Sequence, residues 1–512
     1  MKQKTLLVTL LLIMGISCSK EPNKPILVST FKGLDTEYLV LVNDKLTLKP
    51  SIENQTTAVE WILNGKKVAD TPEYTFQASS IAGTSHLLFR AHNINNITQQ
   101  SITITIGKFL TFKTPPNTIL TLETSKKLSD KKNIKWEMLK AVSPLYRISD
   151  IKANNPLFIA IHSGVYQLRA ASNSLADTLI VTVQQTQASA LSPYIAEVFD
   201  YMPAPGQFVN KLPKYENGDT HEIMITKAGK YIIGTNSQEI SLGGWGGSVT
   251  FGFDHTIVNV SGKRDFRVMG NAFETNINKR PNAPFDGNSE PGIIMVAYDK
   301  NKNGKPDDDE WYEIKGSANF SAEKEPWYAF AKEKGNDIQT YRDYEMTYYR
   351  PITEQVDVDY KKDDFVTIKK YIRWTNSKGQ EGYKTRNIWH QQTYYPAWIK
   401  EDKLTYKGIC LADNGVNEYK FNGSINKEKM NYVLYAFRYG YADNYPNGFE
   451  NSAIDIDWAI DKNGKPANLP GIDFVKVYNG VNKENGWLGE TSTEVSGAQD
   501  LHMLGISIDT VK

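Results

Sequence analysis

A chain of 512 residues can build several hydrophobic cores, and 59 basic against 58 acidic side chains leave a net charge of only +1, so there is no bulk field to hold nucleic acid. Aromatic residues make up 11% of the chain, with 28 Tyr and 10 Trp, a composition that suits β-rich domains and surfaces on which ring-shaped ligands stack. With only two cysteines, stability is left to apolar cores and bound ions.

The chain opens with a basic Met1-Lys-Gln-Lys4, an apolar run to Met14, and Gly15-Ile-Ser-Cys18. That run is too short to span a bilayer and reads as a signal peptide over residues 1–17. Cys18 resembles the acylated cysteine of a bacterial lipobox, although Gly15 stands where leucine is usual. Lipidation there would anchor the protein in the outer membrane, at the cell surface, through a polar tether over residues 18–25. It would also leave Cys410 without a disulfide partner.

Residues 26–107 alternate apolar and polar side chains in short runs, such as Val59-Glu-Trp61-Ile-Leu and Ile102-Thr-Ile-Thr-Ile106, with a turn at Asn64-Gly65. Residues 108–186 repeat the plan, each unit placing one tryptophan (Trp61, Trp136) about thirty residues before an Arg-Ala strand. Two small immunoglobulin- or PKD-like sandwiches are predicted, with Trp61 and Trp136 filling their cores and both domains acting as spacers.

From 192 to 512 the pattern is strands and glycine turns without βαβ alternation, which predicts one large jelly-roll-like β-sandwich and an all-β chain. Its predicted strands include Glu222-Ile-Met-Ile-Thr226, Tyr231-Ile-Ile-Gly234, Val249-Thr-Phe-Gly-Phe253 and Phe474-Val-Lys-Val-Tyr478.

Within this region, Asp299-Lys-Asn301-Lys-Asn303-Gly304-Lys305-Pro-Asp307-Asp-Asp-Glu310 fits D-x-[DN]-x-[DN]-G-x5-E at every fixed position. Asp299, Asn301 and Asn303 would offer side-chain oxygens to Ca2+, Lys305 its carbonyl, Asp307 a carboxylate or water contact, and Glu310 two oxygens. Strand-like flanks on both sides predict a loop capping a β-hairpin, with a structural ion rather than a helix-opening sensor. An Asn/Asp/Gly turn without metal is the alternative. A second candidate metal cluster comprises Asp455, Asp457, Asp461 and Asn463; alternation puts the first two on one strand face and the others in the turn beyond. Its alternative is an ordinary hairpin turn with solvated acids.

Several aromatic residues stand in polar, glycine-rich surroundings: Trp245, Trp389, Tyr394, Tyr395, Trp398, Tyr441 and Trp487. Such loops make ligand platforms, with rigid rings offering an apolar face and neighbouring amides reading polar groups. For each ring singly, a lid over the core is the competing reading. Enzyme signatures are thin: the seven histidines are scattered, and there is no HExxH, GxSxG, P-loop or Rossmann fingerprint. A glycoside hydrolase's two acids need no local motif, but the expectation is a protein that binds without catalysis.

Four stretches carry a family resemblance: Ser192-Pro-Tyr-Ile-Ala-Glu-Val-Phe-Asp-Tyr-Met-Pro-Ala-Pro-Gly-Gln-Phe208, Gly243-Gly-Trp-Gly-Gly-Ser-Val-Thr-Phe-Gly-Phe-Asp-His255, Glu290-Pro-Gly-Ile-Ile-Met-Val296 with the loop after it, and Pro470-Gly-Ile-Asp-Phe-Val-Lys-Val-Tyr478 followed by Gly486-Trp-Leu-Gly-Glu-Thr-Ser-Thr-Glu494. Over residues 192–504 the chain resembles surface lipoproteins of gut Bacteroidetes, similar to components encoded beside outer-membrane vitamin B12 transporters. The resemblance implies capture of a cobamide for uptake alongside a TonB-dependent transporter. A calcium-dependent carbohydrate-binding module or adhesin is the alternative, because aromatic platforms on calcium-bearing sandwiches suit sugars equally.

Overall fold

In a computed structural model, residues 30–53, 56–94, 96–173, 175–185, 190–236, 238–275, 284–360, 365–418 and 432–510 are described, and the leader with Cys18 lies outside them. Two compact units result, one ending at Phe109 and one beginning at Leu110.

In the first unit, alternation places Val59, Trp61, Leu87, Phe89, Ile102 and Ile104 on the buried face of a five-stranded sheet. Trp61 packs against Phe89 at 4.4 Å and Tyr74 at 5.6 Å between ring centroids, and its indole N–H donates to the Thr71 carbonyl at 2.9 Å. The Asn64-Gly65 turn has φ of 48° and 84°, the mirror-image hairpin geometry that asparagine and glycine favour.

The second unit begins with another sandwich. Leu110–Thr114 runs parallel to Leu175–Val183, which pairs antiparallel with Gly164–Ser172, and that strand with Lys135–Lys140. A three-stranded sheet of Leu120–Thr121, Leu157–Ala160 and Tyr146–Ser149 lies opposite, and Trp136 is buried in the shared core. This sandwich packs on the rest of the unit: Ile159 joins Val258 and Val260 in one apolar cluster, and Arg147 forks onto Asp457 at 2.5 and 3.1 Å.

The remainder is organised by a seven-stranded antiparallel sheet. Its order is Glu197–Met202, Ser248–Val258, Gly471–Asn479, Gly292–Ala297, Trp311–Ile314 and Ala459–Ile460, with Tyr441–Ala442 also pairing with Gly292–Ala297. A four-stranded sheet of Glu381–Asn387, Val366–Asn376, Tyr341–Tyr349 and Lys403–Cys410 contributes to the same core. The chain is all-β in class, with a clear departure from the predicted strands. His221–Ile232 is an α-helix: Thr220 caps it by accepting from the Ile223 N–H at 3.4 Å, and Met224, Ala228 and Ile232 recur every fourth residue on its buried face. Those β-branched stretches look like strands locally, but the four-residue spacing of buried positions wins.

Candidate functional site

The loop 299–310 joins the paired strands Gly292–Ala297 and Trp311–Ile314, so it closes a β-hairpin. Its acids and amides fold the loop onto itself. Asp299 accepts from the Asn303 N–H at 3.0 Å and the Gly304 N–H at 2.7 Å, and Asn303 accepts from the Lys305 N–H at 2.8 Å. Asn301 accepts from the Asn303 N–H at 3.0 Å, and both asparagine amides donate to Asp307, at 2.6 and 2.7 Å. Gly304 takes φ of 74°, a conformation open to glycine at no steric cost. Glu310 is only 1% exposed; one oxygen accepts from the Lys300 N–H at 2.8 Å while Oε2 is buried with no hydrogen-bond partner. An all-oxygen donor set with one orphaned buried carboxylate oxygen fits a hard cation such as Ca2+. The Asp299 N–H in turn donates to Asp473 at 2.7 Å, tying the loop to the central Gly471–Asn479 strand.

The second acidic cluster is arranged otherwise than expected. Ile456–Trp458 is a 3₁₀ turn rather than a strand, capped by Asp455 accepting from the Asp457 N–H at 2.8 Å. Asp457 is taken up by Arg147 and by the Asn259 amide at 3.0 Å. Asp461 accepts from the N–H groups of Asn463 and Lys465 in a tight turn. Each acid therefore has a local structural partner, and the turn breaks the strand alternation that had grouped Asp455 with Asp457.

Of the seven aromatic candidates, five belong to the core. Trp245 donates to the Ile409 carbonyl, Tyr394 accepts from the Asn387 N–H, and Tyr395 donates to the Glu401 carbonyl. Trp398 stacks with Tyr201 at 6.0 Å, and Tyr441 donates to Asn319 at 2.7 Å. Their rings are buried among neighbours, which corrects the expectation of surface platforms at those five positions; the glycines beside Trp245 and Tyr441 reflect close backbone packing.

Trp389 and Trp487 behave differently. They are 52% and 44% exposed, and they meet edge to face with centroids 6.2 Å apart at 71°. Trp389 follows the Glu381–Asn387 strand, where Asn387 accepts from the Trp389 and His390 N–H groups at 3.0 and 2.8 Å. Trp487 sits in the 3₁₀ turn Gly486–Leu488. Gln207, buried, links both turns, accepting from the Asn387 amide at 2.7 Å and donating to the Leu488 carbonyl at 2.7 Å.

Beneath them lies a cavity of about 380 Å3, to which Phe208, Phe273, Glu290, Glu490 and Glu494 also contribute. Glu290 and Glu494 converge with Asp443 so that one carboxylate oxygen of each lies within 4.8 Å of the others, all three residues being buried. Glu290 accepts from the Ser492 N–H at 2.9 Å and the Asn288 amide at 2.7 Å, and Asp443 from the N–H groups of Asn271, Ala272 and Glu494. Burial, reinforced by the negative charge of Asp443, pushes Glu290 up to about 8; burial pushes Asp443 up to about 7. Glu494 is raised by burial and by both neighbours. Sequence reasoning missed these acids and Gln207. They lie in stretches that read as polar loops, and only the third dimension gathers them.

No protein-family model matches the chain, and no curated protein does. Among solved structures, it is similar to fibronectin(III)-like modules of CbhA from Clostridium thermocellum (15% identity, 16% of this chain and 98% of that one, TM-score 0.14). It is similar also to tandem immunoglobulin domains A164-A165 of titin (12% identity, 31% and 98%, TM-score 0.14) and to the Ig1-2 module of the Drosophila receptor tyrosine phosphatase DLAR (13% identity, 30% and 98%, TM-score 0.15). Scores this low carry no inference about function.

Proposed function

We propose that this chain is a surface lipoprotein that captures a small ring-bearing ligand in the Trp389–Trp487 pocket and performs no chemistry on it. The observation that carries the reading is the pair of half-exposed tryptophans over a polar-floored cavity of about 380 Å3. Such a cavity is in the range of small-molecule sites. A saccharide ring fits it best: its C–H face can lie on indole, and its hydroxyls can donate to Glu290, Glu490 and Glu494. Cobamide capture is the second reading. An apolar rim that includes exposed Phe273 could receive the edge of a corrin, but among the described residues no lysine or arginine lines the cavity to pair with the phosphodiester that a cobamide carries.

Calcium in the loop 299–310 would brace the hairpin through Asp473 and would not contact the ligand. The leader and Cys18 support lipid anchoring in the outer membrane, where the captured ligand would be passed to a TonB-dependent transporter, and the two small sandwiches would act as spacers. Calorimetry of the mature chain against a glycan panel and cyanocobalamin tests the reading. Saturable heat with a saccharide and no release of reducing ends is expected; hydrolysis of the saccharide, or no heat with any member of either class, would overturn it.

A further inference from the structure

The charge inside the pocket is one-sided. Among the described residues its lining includes Glu290, Glu490 and Glu494 but no lysine or arginine, on a chain whose net charge is only +1. The partners of Glu290, Asp443 and Glu494 are backbone N–H groups, asparagine amides and the Ser492 and Ser241 hydroxyls, none of them a cation. The buried Lys384 is paired with Glu484 at 2.8 Å, and its charge also acts on Glu490. His390 also lines the cavity, and burial together with Lys211 lowers its pKa, which keeps it neutral. Asn485, 1% exposed, lines the same cavity with its side-chain oxygen lacking a hydrogen-bond partner. Carboxylates in a desolvated site stay protonated or await a counter-charge, and among the described residues no cation is paired with Glu290, Asp443 or Glu494. Two half-exposed indoles stand at the entrance, and an indole face attracts organic cations as well as sugar rings.

We infer that the ligand carries a positive charge: an organic ammonium group seated beneath Trp389 and Trp487 and over Glu290 and Glu494, with Asp443 clustered against those two acids. The inference rests on this pocket being the ligand site. It narrows the ligand class to amine-bearing rings, such as sugars with a free amino group, and away from neutral or phosphorylated ones. A cation would favour ionisation among the three acids, so binding would release protons at neutral pH.

The test uses the full mature chain labelled with 5-fluorotryptophan and followed by 19F NMR, with the two signals assigned through Trp389→Phe and Trp487→Phe. Choline, methylammonium, glucosamine and glucose are titrated at fixed ionic strength. The cations are expected to shift both signals, and glucosamine to bind at least tenfold more tightly than glucose. In Glu290→Gln/Glu494→Gln that ratio should fall towards one; should the double variant not fold, the wild-type comparison decides. Equal affinity for glucose and glucosamine, with no shift from choline or methylammonium, would overturn the cationic ligand while leaving the pocket as a neutral-sugar site. If none of the four probes shifts either signal, the inference fails. The pocket itself then fails with it when no saccharide or corrinoid shifts the signals either. Shifts produced by calcium chloride alone in the Asp299→Ala protein would place a metal on the three acids and overturn an organic cation.

Discussion

Asn387 donates its side-chain amide to Gln207 at 2.7 Å, and Gln207 passes the linkage on by donating to the Leu488 carbonyl at 2.7 Å. One buried glutamine thereby fixes the turns that bear Trp389 and Trp487. Gln207→Leu removes both bonds and leaves the Asn387 amide unsatisfied, at a cost of roughly 1–3 kcal/mol. It is expected to weaken ligand binding without touching either ring. Calorimetry beside a melting curve separates the two effects: an unchanged affinity would show that the turns hold their places without the clamp.

Calcium binding should stabilise the unit that contains residues 299–310 and leave the unit ending at Phe109 unchanged. Saturation to a hundredfold above Kd contributes about 2.7 kcal/mol. Differential scanning calorimetry with and without EDTA, on wild type and Asp299→Ala, checks this. Glu310→Gln should lose most of the calcium-dependent shift, because Glu310 supplies the orphaned buried oxygen. A melt insensitive to EDTA would remove calcium from the account.

Several carboxyls of the large unit are held above their ordinary values, chiefly by burial: Glu290 at about 8, Asp443 and Asp455 at about 7, Asp413 at about 6. Between the unfolded and folded pKa of each group, the folded chain binds more protons, so stability falls as pH rises through that window. The ligand-free protein should therefore melt higher at pH 5.5 than at pH 8.5, by several degrees. Glu290→Gln should flatten the slope. A melting temperature that rises over this interval would contradict the protonated, unpaired state of the pocket acids.

Arg147 connects the sandwich that follows Leu110 to the large sheet through Asp457. The pair is mostly withdrawn from solvent, with side-chain exposures of 13% and 30%, so its loss costs roughly 1–3 kcal/mol. The guanidinium's burial against the body makes Arg147→Ala the substitution expected to split one calorimetric transition into two. A single transition in the variant would show that the apolar contact of Ile159 with Val258 and Val260 suffices.

The sequence made the hairpin loop legible because its Asp, Asn and Gly residues recur at fixed spacings within one short segment, and the two small sandwiches because alternation is local. The helix at His221–Ile232 was not read because Ile223, Ile225, Ile232 and Ile233 favour strands locally, and a four-residue buried stripe decided against them. The pocket was half legible. Trp389 and Trp487 stood out in polar loops, but so did Trp245 and Tyr441, and nothing along the chain distinguishes a ring that lines a cavity from one that plugs a core. Glu290, Asp443 and Glu494 come from three separate stretches of the chain, Glu494 from the short strand Glu494–Val495, so their convergence has no linear signature.

The central claim is that Trp389 and Trp487 form the ligand site, and the most direct measurement is the affinity of the Trp389→Ala/Trp487→Ala chain for whichever saccharide or corrinoid binds the wild type. Both rings are half exposed, so their removal should leave the melting temperature within about two degrees of wild type while lowering affinity at least tenfold, about 1.4 kcal/mol. A variant that binds the same ligand as tightly as wild type would place the site elsewhere on the protein.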